Sequence, residues 1–213
     1  MIVFPMRWII PAALLVCAQC GLVAQTHRPQ STKSTYISPD EKFRFDYPDS
    51  VVQCKRDPNQ PDWWMPAESC EAYTPVCSDV TCNSKSTVAC TAYATNDKKG
   101  TNFEAAAFSV NEPKGANTQN KCRSVAEDFR TVPIRTETIN GVKFSVTQTD
   151  GVGAGQGMAG LVYSTFHKGK CYELDIRMAS KSDGYSDMPL KPFDFEKAHR
   201  ALITALDSFR FLK

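Results

Sequence analysis

Residues 161–178 read LVYSTFHKGKCYELDIRM. Two apolar-rich runs, Leu161 to Phe166 and Cys171 to Met178, flank the polar, glycine-containing connection His167-Lys168-Gly169-Lys170. That order is a β-hairpin. In the second arm Tyr172, Leu174, Ile176 and Met178 alternate with Glu173, Asp175 and Arg177. A period of two sends successive side chains to opposite faces of a sheet, so the first set shares one face and the second set the other.

The same alternation extends outward from this hairpin. Val142, Phe144 and Val146 alternate with Lys143, Ser145 and Thr147 after the turn signal Asn140-Gly141. Val88 to Ala94 and Phe103 to Val110 read as two strands, with Lys98-Lys99-Gly100 turning the chain between them. Phe43, Phe45 and Tyr47 alternate with Arg44 and Asp46 up to Pro48. Helical spacing appears twice. Cys122, Val125, Ala126 and Phe129 fall at i, i+3, i+4 and i+7, and Phe195, Ala198, Leu202, Ala205 and Leu206 mark a last helix with Asp194 as its N-cap. Phe209 and Phe211 suggest a short closing strand. The pattern predicts an α+β fold, a mainly antiparallel sheet of about seven strands with helices packed on it.

The chain has 213 residues, 42% hydrophobic and 23% charged, which suits one globular domain or at most two small ones. A formal net charge of +2 leaves no electrostatic footprint for nucleic acid. Arg7, the apolar run Trp8 to Val16 and the small residue Ala24 have the order of a secretory signal peptide. The expected organisation is a signal peptide over 1–24, a flexible leader over 25–35, and a single domain over 36–213 with a cysteine-rich insertion at 54–90. The apolar run is shorter than the roughly 20 residues of a membrane span, so no stable span is expected once the signal is removed. Val16 and Gln19 precede Cys17 and Cys20 where a lipid-anchor signal wants a small residue. The expected location is secreted or periplasmic.

Seven cysteines follow the leader: Cys54, Cys70, Cys77, Cys82, Cys90, Cys122 and Cys171. In an oxidising compartment they are disulfide candidates, and the odd number leaves at least one unpaired or bridged outside the chain. Spacing does not choose among the pairings. Zinc is the weaker reading, because Cys70, Cys77, Cys82 and Cys90 lack the paired spacing of a structural zinc site, and the downstream chain has no redox motif with two intervening residues. No metal and no cofactor are called for.

Catalytic motifs are also missing. The glycine-rich run Gly151 to Gly157 leads into a strand rather than the helix that a phosphate-binding loop needs, so it reads as a mobile hairpin loop. His27 lies in the leader, His167 in a turn and His199 on the last helix, and no Gly-x-Ser-x-Gly elbow exists. Two carboxylates could meet in space, but the sequence singles out no pair. The most suggestive segment is Pro61-Asp62-Trp63-Trp64-Met65-Pro66. Adjacent tryptophans in a proline-flanked loop are either partner contacts or cover for a core edge.

Phe43-Arg44-Phe45-Asp46-Tyr47-Pro48, Ile139-Asn140-Gly141-Val142-Lys143-Phe144, the hairpin from Tyr163 to Ile176, and Ala205-Leu206-Asp207-Ser208-Phe209-Arg210-Phe211 occur in an order that resembles the PsbP-like superfamily. That superfamily is similar in fold to the Ran-binding nuclear import factor. The resemblance covers about residues 36–213. It implies an α/β/α sandwich around an antiparallel sheet, and a non-enzymatic module that docks onto larger assemblies. The insertion at 54–90 departs from the pattern, so no functional residue is carried over. The expected function is an exported, non-catalytic binding or accessory module with a protein or envelope partner, contacted through Trp63 and Trp64. The alternatives are a secreted hydrolase of cell-wall polymer or peptide, and a disulfide-linked structural envelope protein.

Overall fold

Two pairs of residues decide where the longest strands turn back. Asn140-Gly141 and Lys168-Gly169 all have positive φ, at 47°, 82°, 46° and 80°. Two consecutive positive-φ residues make the hairpin turn whose twist matches the flanking strands, and glycine at the second position takes that conformation without a Cβ penalty. The computed structural model describes residues 32–56, 63–64, 82, 86–94, 99–125, 133–153, 155–181 and 189–213. All belong to one compact unit, Ser31–Lys213.

In chain order the elements are β1 (Lys33–Ile37), β2 (Phe43–Pro48), β3 (Val51–Gln53), β4 (Lys55–Arg56), β5 (Trp63–Trp64), β6 (Thr87–Tyr93), β7 (Phe103–Asn111), α1 (Gln119–Val125), β8 (Pro133–Ile139), β9 (Val142–Gly153), β10 (Gln156–His167), β11 (Lys170–Lys181), α2 (Phe195–Ser208) and β12 (Arg210–Phe211). Seven strands form the main sheet in the order β3-β6-β7-β11-β10-β9-β8, and β1-β2-β12 and β4-β5 form smaller ones. Every neighbouring pair of the main sheet is antiparallel.

The expected α+β class and mainly antiparallel sheet are therefore found, with the expected strands around Phe43–Pro48 and Arg210–Phe211 in the smaller β1-β2-β12 sheet and β3 and β8 completing the main one. Two details differ. The glycine-rich run at 151–157 is not a loop, because β9 continues to Gly153, β10 begins at Gln156, and these two residues are partners. Gly155, at φ 78°, makes the turn. The other glycines sit in ladder positions, such as Gly151 opposite Met158 and Gly157 opposite Ser180. Backbone pairing on both sides of β10 holds them, which composition alone does not reveal. Second, β1 opens at Lys33, opposite Pro48, ahead of the expected domain start at 36. For the first expected helix, Ala126 and Phe129 lie outside the described residues. So do Cys70, Cys77 and the signal segment 1–24.

One face of the main sheet is closed by packing. Phe43 and Phe45 of β2, Phe108 of β7, Phe144 of β9, Leu174 and Ile176 of β11, and Leu202, Leu206 and Phe209 are all buried in one cluster. Asp194 caps α2 by accepting from the Lys197 N–H at 3.3 Å, satisfying a donor that the first helical turn leaves free. Ala198, Leu202, Ala205 and Leu206 then fall on the buried stripe. The far end of α2 is tied down by polar contacts. The Asn140 side-chain amide donates to the carbonyls of Asp207 and Phe209, both at 2.8 Å. Ser208 Oγ accepts from the Asp46 N–H at 2.7 Å. The other helix, α1, is held to the opposite face by the Cys122–Cys171 disulfide. Helices therefore flank the main sheet on both sides.

Candidate functional site

The second face of the main sheet is polar and buried at once. Its residues follow from the strand registers. Thr136, Ser145, Ser164, Glu173, Asn111 and Thr87 are successive cross-strand partners from β8 to β6. A parallel row runs Thr147, Val162, Asp175, Ser109 and Cys90, and a third runs Thr149, Gly160, Arg177, Ala107 and Ala92. Directly opposed side chains on one face lie about 5 Å apart. The alternation seen in the sequence of β11 thus becomes a line of charges, Glu173, Asp175 and Arg177, down the middle of a hydroxyl-rich floor. Glu173 is 9% exposed, Asp175 5%, Ser164 3% and Thr147 1%.

Some of these groups satisfy one another. Thr87 Oγ1 donates to Asn111 Oδ1 at 2.6 Å, and Asn111 Nδ2 donates to Ser109 Oγ at 3.4 Å. Arg177 donates to one Asp175 oxygen and pairs with it. Others have no partner among the described residues: Glu173 Oε1, Asp175 Oδ1, Arg177 Nε, Ser164 Oγ and Thr149 Oγ1 are buried with no hydrogen bond there. A buried orphan polar group costs about 1–3 kcal/mol, so a fold that collects several on one face calls for an explanation.

Burial also sets the protonation of the carboxyls. Glu173 is pushed up to about 7, first by loss of water and then by the neighbouring charge of Asp175, with Arg177 pulling the other way. Asp175 is also raised, by burial, against the opposing pull of Arg177. Glu173 is thus a carboxyl poised to gain or lose a proton near neutrality, the condition under which a carboxyl can act either as donor or as acceptor.

Glycine is required in the third row. A Cβ on Gly160 would lie 2.6 Å from the Ile176 carbonyl oxygen and 3.0 Å from Thr149 Oγ1. Any other residue there would displace β10 from β11, and with it the alignment of Ser164 against Glu173.

Both described disulfides lie on this face. Cys122–Cys171 pins α1 beside the end of the first row, and Cys82–Cys90 joins residue 82 to β6. Ala116 and Phe166 pack around the first bridge, and Cys54, Ala92 and Ala107 around the second. The sulfurs of Cys54, Cys82 and Cys90 lie within 4.8 Å of one another. Cys54 is itself disulfide-bonded, so in this oxidised state the trio is cross-linked rather than a set of thiolates for a metal.

Under α1, at the β8–β10 end of the first row, is a cavity of about 450 Å3. Thr136, Ser145 and Ser164 line it from the sheet, Lys143 from β9, and Gln119 and Arg123 from α1. Its volume falls in the ordinary range of small-ligand sites. His167 also lines it and stacks on Phe211 with ring centroids 3.9 Å apart. Burial, then the charge of Lys168, hold the His167 imidazole below its usual range.

The sequence separated Glu173, Asp175 and Arg177 from the apolar set but carried no sign that their face is covered. The site residues it did single out are elsewhere. Trp63 and Trp64 form β5, which pairs with Arg56 and Lys55; their side chains lie outside the described residues. Among the described residues no helix is long and apolar enough to cross a membrane.

No family model matches the chain, and no curated protein matches it. Solved structures do. The solution structure of cyanobacterial PsbP (CyanoP) from Synechocystis sp. PCC 6803 is 11% identical, with a TM-score of 0.45 over 90% of this chain and 99% of that one. A crystal structure from Bacteroides thetaiotaomicron is 10% identical, with a TM-score of 0.44 over 84% of this chain and 48% of that one. LpqN of Mycobacterium tuberculosis, described as involved in cell envelope biogenesis, is 10% identical, with a TM-score of 0.39 over 85% of this chain and 91% of that one. No residue of these proteins is carried over.

Proposed function

We propose that this chain is an exported, non-catalytic binding module whose ligand seats against the polar face of the main sheet, entering by the cavity under α1. The observation that carries this reading is the concentration on that face of buried polar atoms with no partner among the described residues, Ser164 Oγ beside the cavity among them. A ligand that hydrogen-bonds to them offsets the desolvation cost of burying them. The disulfides on the same face support export, because such bridges persist in oxidising compartments.

The test is a thermal melt of the oxidised protein with fractions of soluble envelope extract. A fraction that raises the melting temperature of the wild type and leaves a Ser164→Phe variant unmoved supports the reading. Equal shifts in both proteins overturn it. Trp63 and Trp64 serve a larger partner in this proposal. Trp63→Ala and Trp64→Ala should leave the melting temperature nearly unchanged and abolish partner capture, whereas a large stability loss with normal capture makes them core cover.

One observation favours a second reading. Glu173 and Asp175 are a pair of carboxyls on one strand face, both raised, and a hydrolase of wall polymer or peptide uses a raised carboxyl as its acid. Release of reducing ends or amines from wall material, abolished by Glu173→Gln, would replace the binding reading with that one.

A further inference from the structure

We infer that the cavity under α1 takes a small ligand bearing an oxyanion group, a carboxylate or a phosphate, on a hydroxylated body. The inference rests on the reading above that this cavity is the ligand entry. The charge of the lining carries it. Among the described residues that line it, Arg123 and Lys143 are the charged side chains, and none is an aspartate or glutamate. Neither cation has an ion pair among the described residues, while nearby pairs such as Lys170–Glu112 and Arg135–Glu137 are closed. Two cations at the mouth of a concave site, with no carboxylate paired to them among the described residues, attract an anion and favour its bidentate capture by the guanidinium.

The floor supplies the rest of the recognition. Ser164 Oγ is buried without a partner among the described residues. Thr136 and Ser145 extend the same row. Thr165 does not contribute its hydroxyl, which already donates to the Lys143 carbonyl at 2.9 Å. That bond fixes the β9 backbone beneath the Lys143 side chain. A wall with cations above and free hydroxyls below matches a molecule with an anionic head and hydroxyls of its own. An apolar ligand would bury Ser164 Oγ still unpaired, and an uncharged one would leave both cations unmatched.

Defined probes test this by thermal melts of the full oxidised chain at low salt, with inorganic phosphate, glucuronate and, as the uncharged counterpart, glucose. The expected result is a rise of several degrees with glucuronate or phosphate at about 10 mM and none with glucose, since stabilisation by a ligand follows its occupancy of the folded state. The comparison of phosphate with glucuronate tells which anion is preferred. The shift should shrink at 0.5 M salt and vanish in the Arg123→Glu/Lys143→Glu variant. Both residues are exposed, so that variant folds, as its unliganded melt checks. An anion shift that survives in the double variant overturns the site. Absence of any shift with both anions overturns the ligand class. If an uncharged envelope fraction shifts the wild type but not Ser164→Phe while both anions do nothing, the anion inference falls and the binding reading stands.

Discussion

The two faces of the seven-stranded sheet are held by different physics. On the apolar face Phe43, Phe45, Phe108, Phe144, Leu174 and Ile176 meet the stripe of α2, and nothing but shape and water exclusion is needed to close it. On the polar face the floor is Glu173, Asp175, Arg177 and hydroxyls, and what lies against it is fastened by Cys122–Cys171 and Cys82–Cys90. A polar floor gives little hydrophobic reason for a helix to stay, so covalent bonds do that work. The first face accounts for the fold. The second carries polar groups that have no partner among the described residues, which is where a ligand has something to gain.

The comparison breaks most sharply if the apolar face proves dispensable. Phe45 is 1% exposed, with its ring 5.0 Å from those of Tyr36 and Phe108. Phe45→Ala should cost about 3–5 kcal/mol of unfolding free energy by denaturant titration, from lost transfer energy and the cavity left behind. Next comes the staple. Replacing both Cys122 and Cys171 by serine opens a loop with a sequence separation of 49 and should cost about 4 kcal/mol. Its particular signature is that the ligand-induced shift disappears even where circular dichroism shows the sheet intact, because α1 supplies one wall of the cavity. Equal ligand response with and without the bridge would mean that α1 seats itself by packing, and the contrast between the faces would weaken.

Protonation sharpens the contrast further. Glu173 is held near 7 when folded and has an ordinary carboxyl value of about 4.5 when unfolded. Below 4.5 both states carry the proton. Between about 4.5 and 7 the unfolded chain releases it first, so stability falls as pH rises, and above 7 the loss is complete. Each unit of pKa difference corresponds to about 1.4 kcal/mol, giving a loss of up to about 3 kcal/mol from Glu173, with Asp175 adding in the same direction. Denaturant midpoints from pH 4 to 8 should decline through this window, and Glu173→Gln should remove most of the slope. A flat wild-type profile would mean that the polar face is open to water.

Most of the fold was legible, and the site was half legible. The period-two pattern of Tyr172 to Met178, the turn pairs Asn140-Gly141 and Lys168-Gly169, and the N-cap Asp194 are local signals, each tied to backbone geometry, and each appears where expected. Even the alignment of Ser164 with Glu173 follows from a two-residue turn at Lys168-Gly169. What the sequence could not carry was burial of the second face. Glu173, Asp175 and Arg177 look like a solvated edge because covering them depends on α1 and on residue 82, brought there from distant positions by cysteines whose pairing spacing does not determine. The glycines at 151–157 misled for a related reason, since their place in strands is imposed by partners on both sides.

The smallest expected effect has the most informative sign. Removing atoms from the apolar face always costs stability, because each buried carbon is already in contact. Ser164→Ala removes an oxygen that is buried with no partner among the described residues, and so relieves a desolvation penalty instead of breaking a bond. The variant should be as stable as the wild type or more stable by about 1 kcal/mol, while binding the anionic probe more weakly. Loss of binding together with a gain in stability is the pattern of a group retained for its ligand at the expense of the fold. If Ser164→Ala instead lost 1 kcal/mol or more, its hydroxyl would have a partner in the resting protein, and the polar face would be a finished structural layer with nothing left to offer a ligand.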